Sequence, residues 1–208
     1  PNELRELKEV MKRVEKVKES RLASVASATR NKALTPTLFA QISQPDSSYL
    51  AVPEVSSERR KYIPIAFLPA EIIASNKIQL ISNASLYLFG IMTSEMHMTW
   101  MRYTCGRLKS DFSYSNTIVY NNFPFPITRI DAQKKKVEEA AQAVLDIRSK
   151  YPDSTLADLY DPVTMPPDLL KAHVALDKAV DLCYRSQAFA NELSRIEFLF
   201  GLYEQYTA

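Results

Sequence analysis

Short runs of β-branched and aromatic residues, separated by Pro, Asn and Ser, occupy the middle of this chain and distinguish it from both ends. Such runs predict the strands of a small sheet, at residues 49–52, 62–67, 77–82 and 117–120. The flanking stretches favour helices. We therefore expect an α+β fold with an N-terminal linking helix (1–35), a small mixed α/β domain (36–130) and a C-terminal helical bundle (131–208).

The N-terminal stretch has apolar residues at helical spacing. Leu4, Leu7, Met11 and Val14 recur three or four positions apart, which predicts an amphipathic helix over residues 3–22 with Asn2 as its N-cap. The opposite side carries five basic residues, Lys8, Lys12, Arg13, Lys16 and Lys18. We favour a solvated face here over a DNA contact. Residues 23–35 are rich in Ser and Ala and indicate a linker or a short helix.

Residues 85–105 contain no proline and are apolar at helical spacing, so one or two helices are expected there, with Gly106 as the C-cap. The four methionines of this stretch fit a packed core better than a soft metal site: Met92, Met96, Met98 and Met101. His97 is expected to be a packed or capping imidazole.

Three further helices are predicted at 132–150, 167–185 and 188–206. Pro167 followed by Asp168 is typical of a helix start. Three carboxylates lie between these helices, Asp153, Asp158 and Asp161. They are expected to cap helices and form turns rather than to act as a catalytic acid and base.

The sequence lacks the groups that many enzymes need. The three glycines, Gly90, Gly106 and Gly201, are too widely spaced to form a phosphate-binding or dinucleotide-binding loop. Two cysteines and two histidines indicate neither a disulfide framework, nor a metal site, nor a nucleophile with its base. We therefore expect no catalytic residue, no metal ligand and no cofactor in this chain.

No apolar run approaches the roughly 18 to 20 residues of a membrane span, so no membrane partner and a cytoplasmic location are expected. The chain begins with Pro1 rather than Met, which suggests a piece of a longer polypeptide.

The charge of the chain changes along its length. Lys and Arg against Asp and Glu number 9 against 5 over residues 1–35, 8 against 7 over 36–131 and 9 against 12 over 132–208. The net charges of these segments are therefore +4, +1 and −3. A surface facing phosphates is expected in the first two segments, and the acidic last third is expected to face elsewhere.

Residues 106–116 bring basic, acidic, hydroxyl and aromatic side chains together at what the sequence predicts to be a helix exit and loop. Lys109 suits guanine, Asp111 suits the amino group of cytosine, and Ser113 suits either. Arg107 and Tyr114 suit phosphate or sugar. The alternative is a set of exposed salt bridges with little energetic value.

Several short motifs in this order and spacing resemble the target-recognition region of the MmeI-like DNA adenine methyltransferases, which include the YeeA-type methylases of restriction-modification systems. They are YLAVP at 49–53, SSERR at 56–60, YIP at 62–64, FGI at 89–91, MHM at 96–98, WMR at 100–102, CGRL at 105–108, YSNT at 114–117 and YNNFP at 120–124. The stretch 141–177 resembles the helical tail of that family. The resemblance covers residues 36–208.

This resemblance implies a parent enzyme that transfers a methyl group from S-adenosylmethionine to N6 of adenine, and that is often fused to an endonuclease. The chain itself would be non-catalytic and would supply sequence choice. Its partners would be double-stranded DNA and the methyltransferase core of the same polypeptide. The alternative is a protein-interaction module in which the basic first helix and the acidic tail dock partner subunits.

Carried over by position, the resemblance implies six base-reading residues: Glu54, Asn76, Lys77, Lys109, Asp111 and Ser113. Lys109 and Asp111 would each contact one base of a G·C pair. The candidates for the DNA backbone are Arg59, Arg60, Lys61, Arg102, Arg107 and Tyr114. Arg102 has an alternative role as an intramolecular partner of Glu95 or Asp111.

Overall fold

The boundary between two compact units falls between Gln44 and Pro45. A computed structural model describes residues 2–127 and 130–208. Across these residues, every helix is too short or too polar to cross a membrane.

The first unit is helical. It contains α1 (Asn2–Glu6), α2 (Lys8–Leu22), α3 (Ser27–Asn31) and a 3₁₀ turn (Lys32–Leu34). The predicted helix over 3–22 is confirmed, with an interruption at Leu7, whose backbone is not helical (φ −85°, ψ 80°). The side chain of Asn2, the predicted N-cap, lies outside the described residues. On the basic side of α2, Lys12 pairs with Glu9 at 2.7 Å.

One arginine of α2 folds the following segment back onto the helix. The guanidinium of Arg21 donates to the carbonyl oxygens of Lys32, Thr35 and Leu38 at 2.8, 3.0 and 2.8 Å. The Lys32 and Thr35 carbonyl oxygens also accept backbone N–H groups, so the guanidinium adds a second hydrogen bond to each of them.

Two small antiparallel sheets lie in the second unit. Their strands are β1 (Tyr49–Pro53), β2 (Val55–Ser56), β3 (Ala66–Leu68), β4 (Ile78–Ser82), β5 (Gly106–Leu108) and β6 (Asp111–Ser113). The first sheet has the order β3-β1-β4, and the second has the order β2-β6-β5. Because a single residue, Glu54, separates β1 from β2, the two sheets are joined at that position.

The proline-free stretch forms two helices, α4 (Leu86–Met92) and α5 (Glu95–Thr104), as predicted. Ser85 and Ser94 cap them, each accepting a backbone N–H with its side chain. The four methionines are fully buried, which confirms their core role: Met92, Met96, Met98 and Met101. The predicted glycine C-cap is wrong, because α5 ends in an extended Cys105 and Gly106 begins β5.

The predicted strand at 117–120 is also wrong. Asn116–Tyr120 forms a π-type helical turn instead. Val119 is buried there, and its carbonyl oxygen accepts the indole N–H of Trp100 at 3.0 Å. Core packing and this hydrogen bond outweigh the β propensity of the local sequence.

The C-terminal part consists of α6 (Asp131–Arg148), α7 (Leu156–Leu159), α8 (Pro167–Tyr184) and α9 (Glu192–Thr207). α6 and α8 pack against each other and against α4. At the contact of α4 with α6, a Cβ on Gly90 would lie 2.6 Å from Cγ1 of Val137, so only glycine fits without a shift. Asp158 completes a capping box with Thr155, as a turn role predicts.

Buried polar groups tie α8 to the segment that follows β2. The hydroxyl of Tyr62 donates to Oδ2 of Asp177 at 2.7 Å, and Oδ1 accepts the backbone N–H of Glu95 at 2.7 Å. Burial raises the pKa of Asp177 to about 6. His173 stacks on Tyr62 with ring centroids 4.2 Å apart, and burial lowers the pKa of His173 to about 3. The C-terminal helices therefore support the segment around residue 62 directly.

Candidate nucleic-acid interface

A β-hairpin carries the central group of predicted site residues. β5 and β6 pair in the register Leu108–Asp111, joined by a two-residue turn, where the sequence predicted a helix exit and loop. Lys109, the first turn residue, has φ 58°, a conformation that glycine usually takes. A residue with a side chain costs about 1 kcal/mol in this backbone conformation, so the turn is strained at Lys109. The Lys109 side chain is exposed at the tip of the hairpin.

The hairpin has one buried side and one exposed side. Phe112 is buried, and the guanidinium of Arg107, its cross-strand partner, covers it at 4.4 Å from the ring centre. Because side chains alternate along a strand, Asp111 and Ser113 point the other way. We call this exposed side the outer face of the β2-β6-β5 sheet. It carries Val55, Leu108, Asp111 and Ser113.

Glu54 connects the outer face to the first sheet. Its backbone N–H donates to the carbonyl oxygen of Lys77 at 3.0 Å, and its own carbonyl oxygen accepts the N–H of Tyr114 at 2.8 Å. The side chains also meet: Oε2 of Glu54 lies 3.6 Å from Nζ of Lys77. Asn76 is exposed next to Lys77. The structure thus brings Glu54, Asn76 and Lys77 beside the end of β6.

A residue that the sequence interpretation missed belongs to this cluster. The amide of Gln79 donates to Oε1 of Glu54 at 3.0 Å. The available signal was a single amide within the apolar run of β4, Ile78–Ser82. Its side chain orients the Glu54 carboxylate.

The turn at residues 57–60 lies beside the hairpin. The backbone N–H of Glu58 donates to Oδ1 of Asp111 at 3.4 Å, and the Glu58 carboxylate is 3.9 Å from Arg107. Arg59 and Lys61 are exposed, and within residues 2–127 and 130–208 neither forms an ion pair. Arg60 is half-buried, and its Nε is sealed with no hydrogen-bond partner in the described chain.

Arg102 makes intramolecular contacts that compete with the predicted phosphate contact. Its guanidinium lies 2.7 Å from Glu95 and 3.3 Å from Glu192, and it donates to the carbonyl oxygen of Lys61 at 3.0 Å. Two carboxylates already compensate its charge. The ion pair with Glu95 is one of the two intramolecular partners that the sequence suggested for Arg102. The hydrogen bond to the Lys61 carbonyl oxygen holds the backbone at that residue.

Tyr114 does not fit its predicted contact with the DNA backbone. It is buried, and its hydroxyl bonds to Nε2 of His97 at 3.1 Å. A phosphate cannot approach that oxygen without unpacking the core, so the structure does not support the predicted contact of the Tyr114 hydroxyl with the DNA backbone.

A cleft of about 270 Å³ lies between β4 and the helical turn Asn116–Tyr120. It is lined by Val52, Gln79, Leu80, Ile81, Ser82, Tyr114, Asn116, Tyr120 and Asn121. None of these is a carboxylate that could bind ribose hydroxyl groups.

An exposed two-stranded ribbon that presents Lys, Asp and Ser beside unpaired cations is typical of modules that recognise nucleic acids. Comparison with protein families identifies the family to which this module belongs. The chain belongs to the MmeI family: the family model "MmeI, target recognition domain" matches residues 1–127, and "MmeI, C-terminal domain" matches residues 129–208.

Two relatives agree with this membership. DNA methyltransferase A of Bacillus subtilis (strain 168) is 41% identical over 200 residues, which cover 95% of this chain and 22% of that protein. The solved structure of the type IIL restriction-modification enzyme MmeI in complex with DNA is 49% identical, with a TM-score of 0.88 over 95% of this chain and 26% of that one. The chain thus spans about a quarter of these relatives' length.

Proposed function

We propose that this chain selects the DNA sequence on which a larger DNA adenine methyltransferase acts. The observation that carries the proposal is the meeting of three distant segments on one exposed surface: Glu54, the pair Asn76 and Lys77, and the hairpin from Lys109 to Ser113. Lys77 and Gln79 hold the Glu54 carboxylate in place there, and Lys109 is exposed at the tip of the hairpin.

The hairpin has the right form for the major groove, which is about 12 Å wide and admits a two-stranded β-ribbon. There Lys109 donates to guanine O6 and N7, and Asp111 accepts from cytosine N4. Ser113 suits either of these bases, and the amide of Asn76 suits N6 and N7 of an adenine. Glu54, with its carboxylate oriented by Gln79, accepts a further amino group.

Backbone contacts come from the cations around the hairpin: Arg59, Arg60, Lys61 and Arg107. They fix the orientation of the protein on the duplex and carry no sequence information themselves. Arg107 can contact a phosphate only if its guanidinium leaves the Glu58 carboxylate, which now lies 3.9 Å away. Breaking this exposed ion pair costs little free energy.

Methyl transfer belongs to the remainder of the polypeptide, with which this chain would act as one enzyme. S-adenosylmethionine would bind there and supply the methyl group for N6 of an adenine turned out of the helix. No residue of this chain takes a catalytic role in the proposal.

The test is selection of binding sites from a randomised duplex library with the 208-residue chain at low ionic strength. We expect one enriched sequence, and a Lys109→Ala/Asp111→Ala variant that enriches the same sequence with one base pair relaxed. The matched control is Lys171→Ala, an exposed cation on α8. DNA bound without any enrichment, or no binding at low salt, contradicts the proposal.

A further inference from the structure

Two apolar side chains stand on the outer face, among the proposed base-reading residues. Leu108 is 57% exposed and Val55 is 41% exposed. The water-facing side of a sheet that is buried on its other face normally carries polar residues. Both positions break that alternation, and both do so on the surface that the proposed function directs toward DNA.

The strand register pairs each of them with a polar residue. Val55 lies opposite Ser113, and Leu108 lies opposite Asp111. Directly opposed side chains have Cβ atoms about 4.5–5.5 Å apart. Asp111 and Ser113 are two residues apart on one strand, about 6.8 Å, which is close to two steps of about 3.4 Å along a DNA strand. The outer face therefore presents two polar–apolar pairs at a spacing near that of every second base along a strand.

The chemistry of the major groove has one apolar group, the 5-methyl of thymine. A Leu or Val side chain beside a hydrogen-bonding residue matches a thymine next to the base that the polar residue contacts. A protein partner with an apolar surface fits less well, because it would bury the Asp111 carboxylate against groups that cannot donate to it.

We propose that Leu108 and Val55 are specificity-determining residues that contact the 5-methyl groups of thymines in the bound DNA. The inference rests on the proposed function, since the outer face must enter the major groove. It extends that function from polar base contacts to apolar recognition of thymine.

The experiment replaces each thymine of the selected duplex, one at a time, by deoxyuridine, which lacks only the methyl group. We expect a loss of affinity of about fourfold at one or two positions, the effect of exposing one methyl group. At such a position, Leu108→Ala or Val55→Ala should bind the thymine and deoxyuridine duplexes equally. Leu193→Ala is the matched control, because Leu193 is also 57% exposed but lies on α9.

The binding results test the thymine methyl contact and the proposed function separately. If sequence-specific binding persists while every deoxyuridine duplex binds like its thymine parent, the methyl contact is refuted and the proposed function stands. The same holds if both alanine variants keep the full deoxyuridine penalty. If the chain selects no sequence at all, the proposed function itself fails.

Discussion

The Nε2 atom of His97 lies 3.1 Å from the hydroxyl oxygen of Tyr114, the residue that directly follows β6. His97 is fully buried on α5, and its ring meets the ring of Phe123 edge to face at 5.0 Å. The strand that carries Asp111 and Ser113 is thus anchored to the core one residue away. An anchor of this kind would hold the side chains that we propose as base contacts in place before DNA binds.

Removing the Tyr114 hydroxyl tests this anchor. Tyr114→Phe leaves the His97 nitrogen without its partner in the core, and we expect the free energy of unfolding to fall by about 1–3 kcal/mol. Urea denaturation measures the change. The control is Tyr206→Phe, whose hydroxyl donates to the Phe125 carbonyl oxygen at an exposed site and should cost less. Equal losses in the two variants would argue against a special role for the buried bond.

Stability should decrease in mild acid. Burial lowers the pKa of His97 and of His173 to about 3, so unfolding takes up two protons between about pH 6 and 4. Burial raises the pKa of Asp177 to about 6, so unfolding releases one proton in the same range. The net uptake of about one proton makes the free energy of unfolding fall by about 1.4 kcal/mol per pH unit as the pH is lowered.

Denaturation curves between pH 6 and 4.5 measure this slope. His97→Gln keeps a polar group near the Tyr114 hydroxyl but removes one titrating imidazole, so its slope should be close to zero. A variant slope equal to that of the original chain would contradict the assignment of the protons.

Substitutions of Lys109 should change stability and base preference independently, because its backbone is strained while its side chain is the proposed base contact. Lys109→Gly relieves the positive φ of 58° and should raise the free energy of unfolding by about 1 kcal/mol. Lys109→Ala keeps the strain and should leave stability nearly unchanged. Both variants should lose the same base preference in binding-site selection. A glycine variant that is less stable than the original chain would show that the lysine side chain stabilises the fold.

The two helical glycines should respond oppositely to alanine. Gly90→Ala places a methyl group 2.6 Å from Val137 and should cost about 1–3 kcal/mol. Gly201→Ala meets no atom within 4 Å on α9 and should gain up to about 1 kcal/mol. Thermal unfolding of the two variants gives the comparison, and a stabilising Gly90→Ala would mean that α4 and α6 can separate at no cost.

Local periodicity accounts for what sequence interpretation predicted correctly. The helices of residues 3–22 and 85–105 and the buried methionines follow from apolar spacing over adjacent turns. The same reasoning failed at 117–120, where β-branched residues form a helical turn. The turn is stabilised by the burial of Val119 and by the hydrogen bond from the Trp100 indole to its carbonyl oxygen.

The sequence by itself determined the α+β class, most of the helices and, through its motifs, the family and the candidate site residues. Only the tertiary structure decided which of those residues share a surface. Exposure on the outer face depends on the pairing of β6 with β5 and with β2, more than fifty residues earlier, and a shift of one residue would exchange its two faces. The burial of Tyr114 and the compensation of Arg102 likewise depend on distant partners, His97 in one case and Glu192 in the other. Such contacts depend on packing between remote segments, which no local pattern encodes.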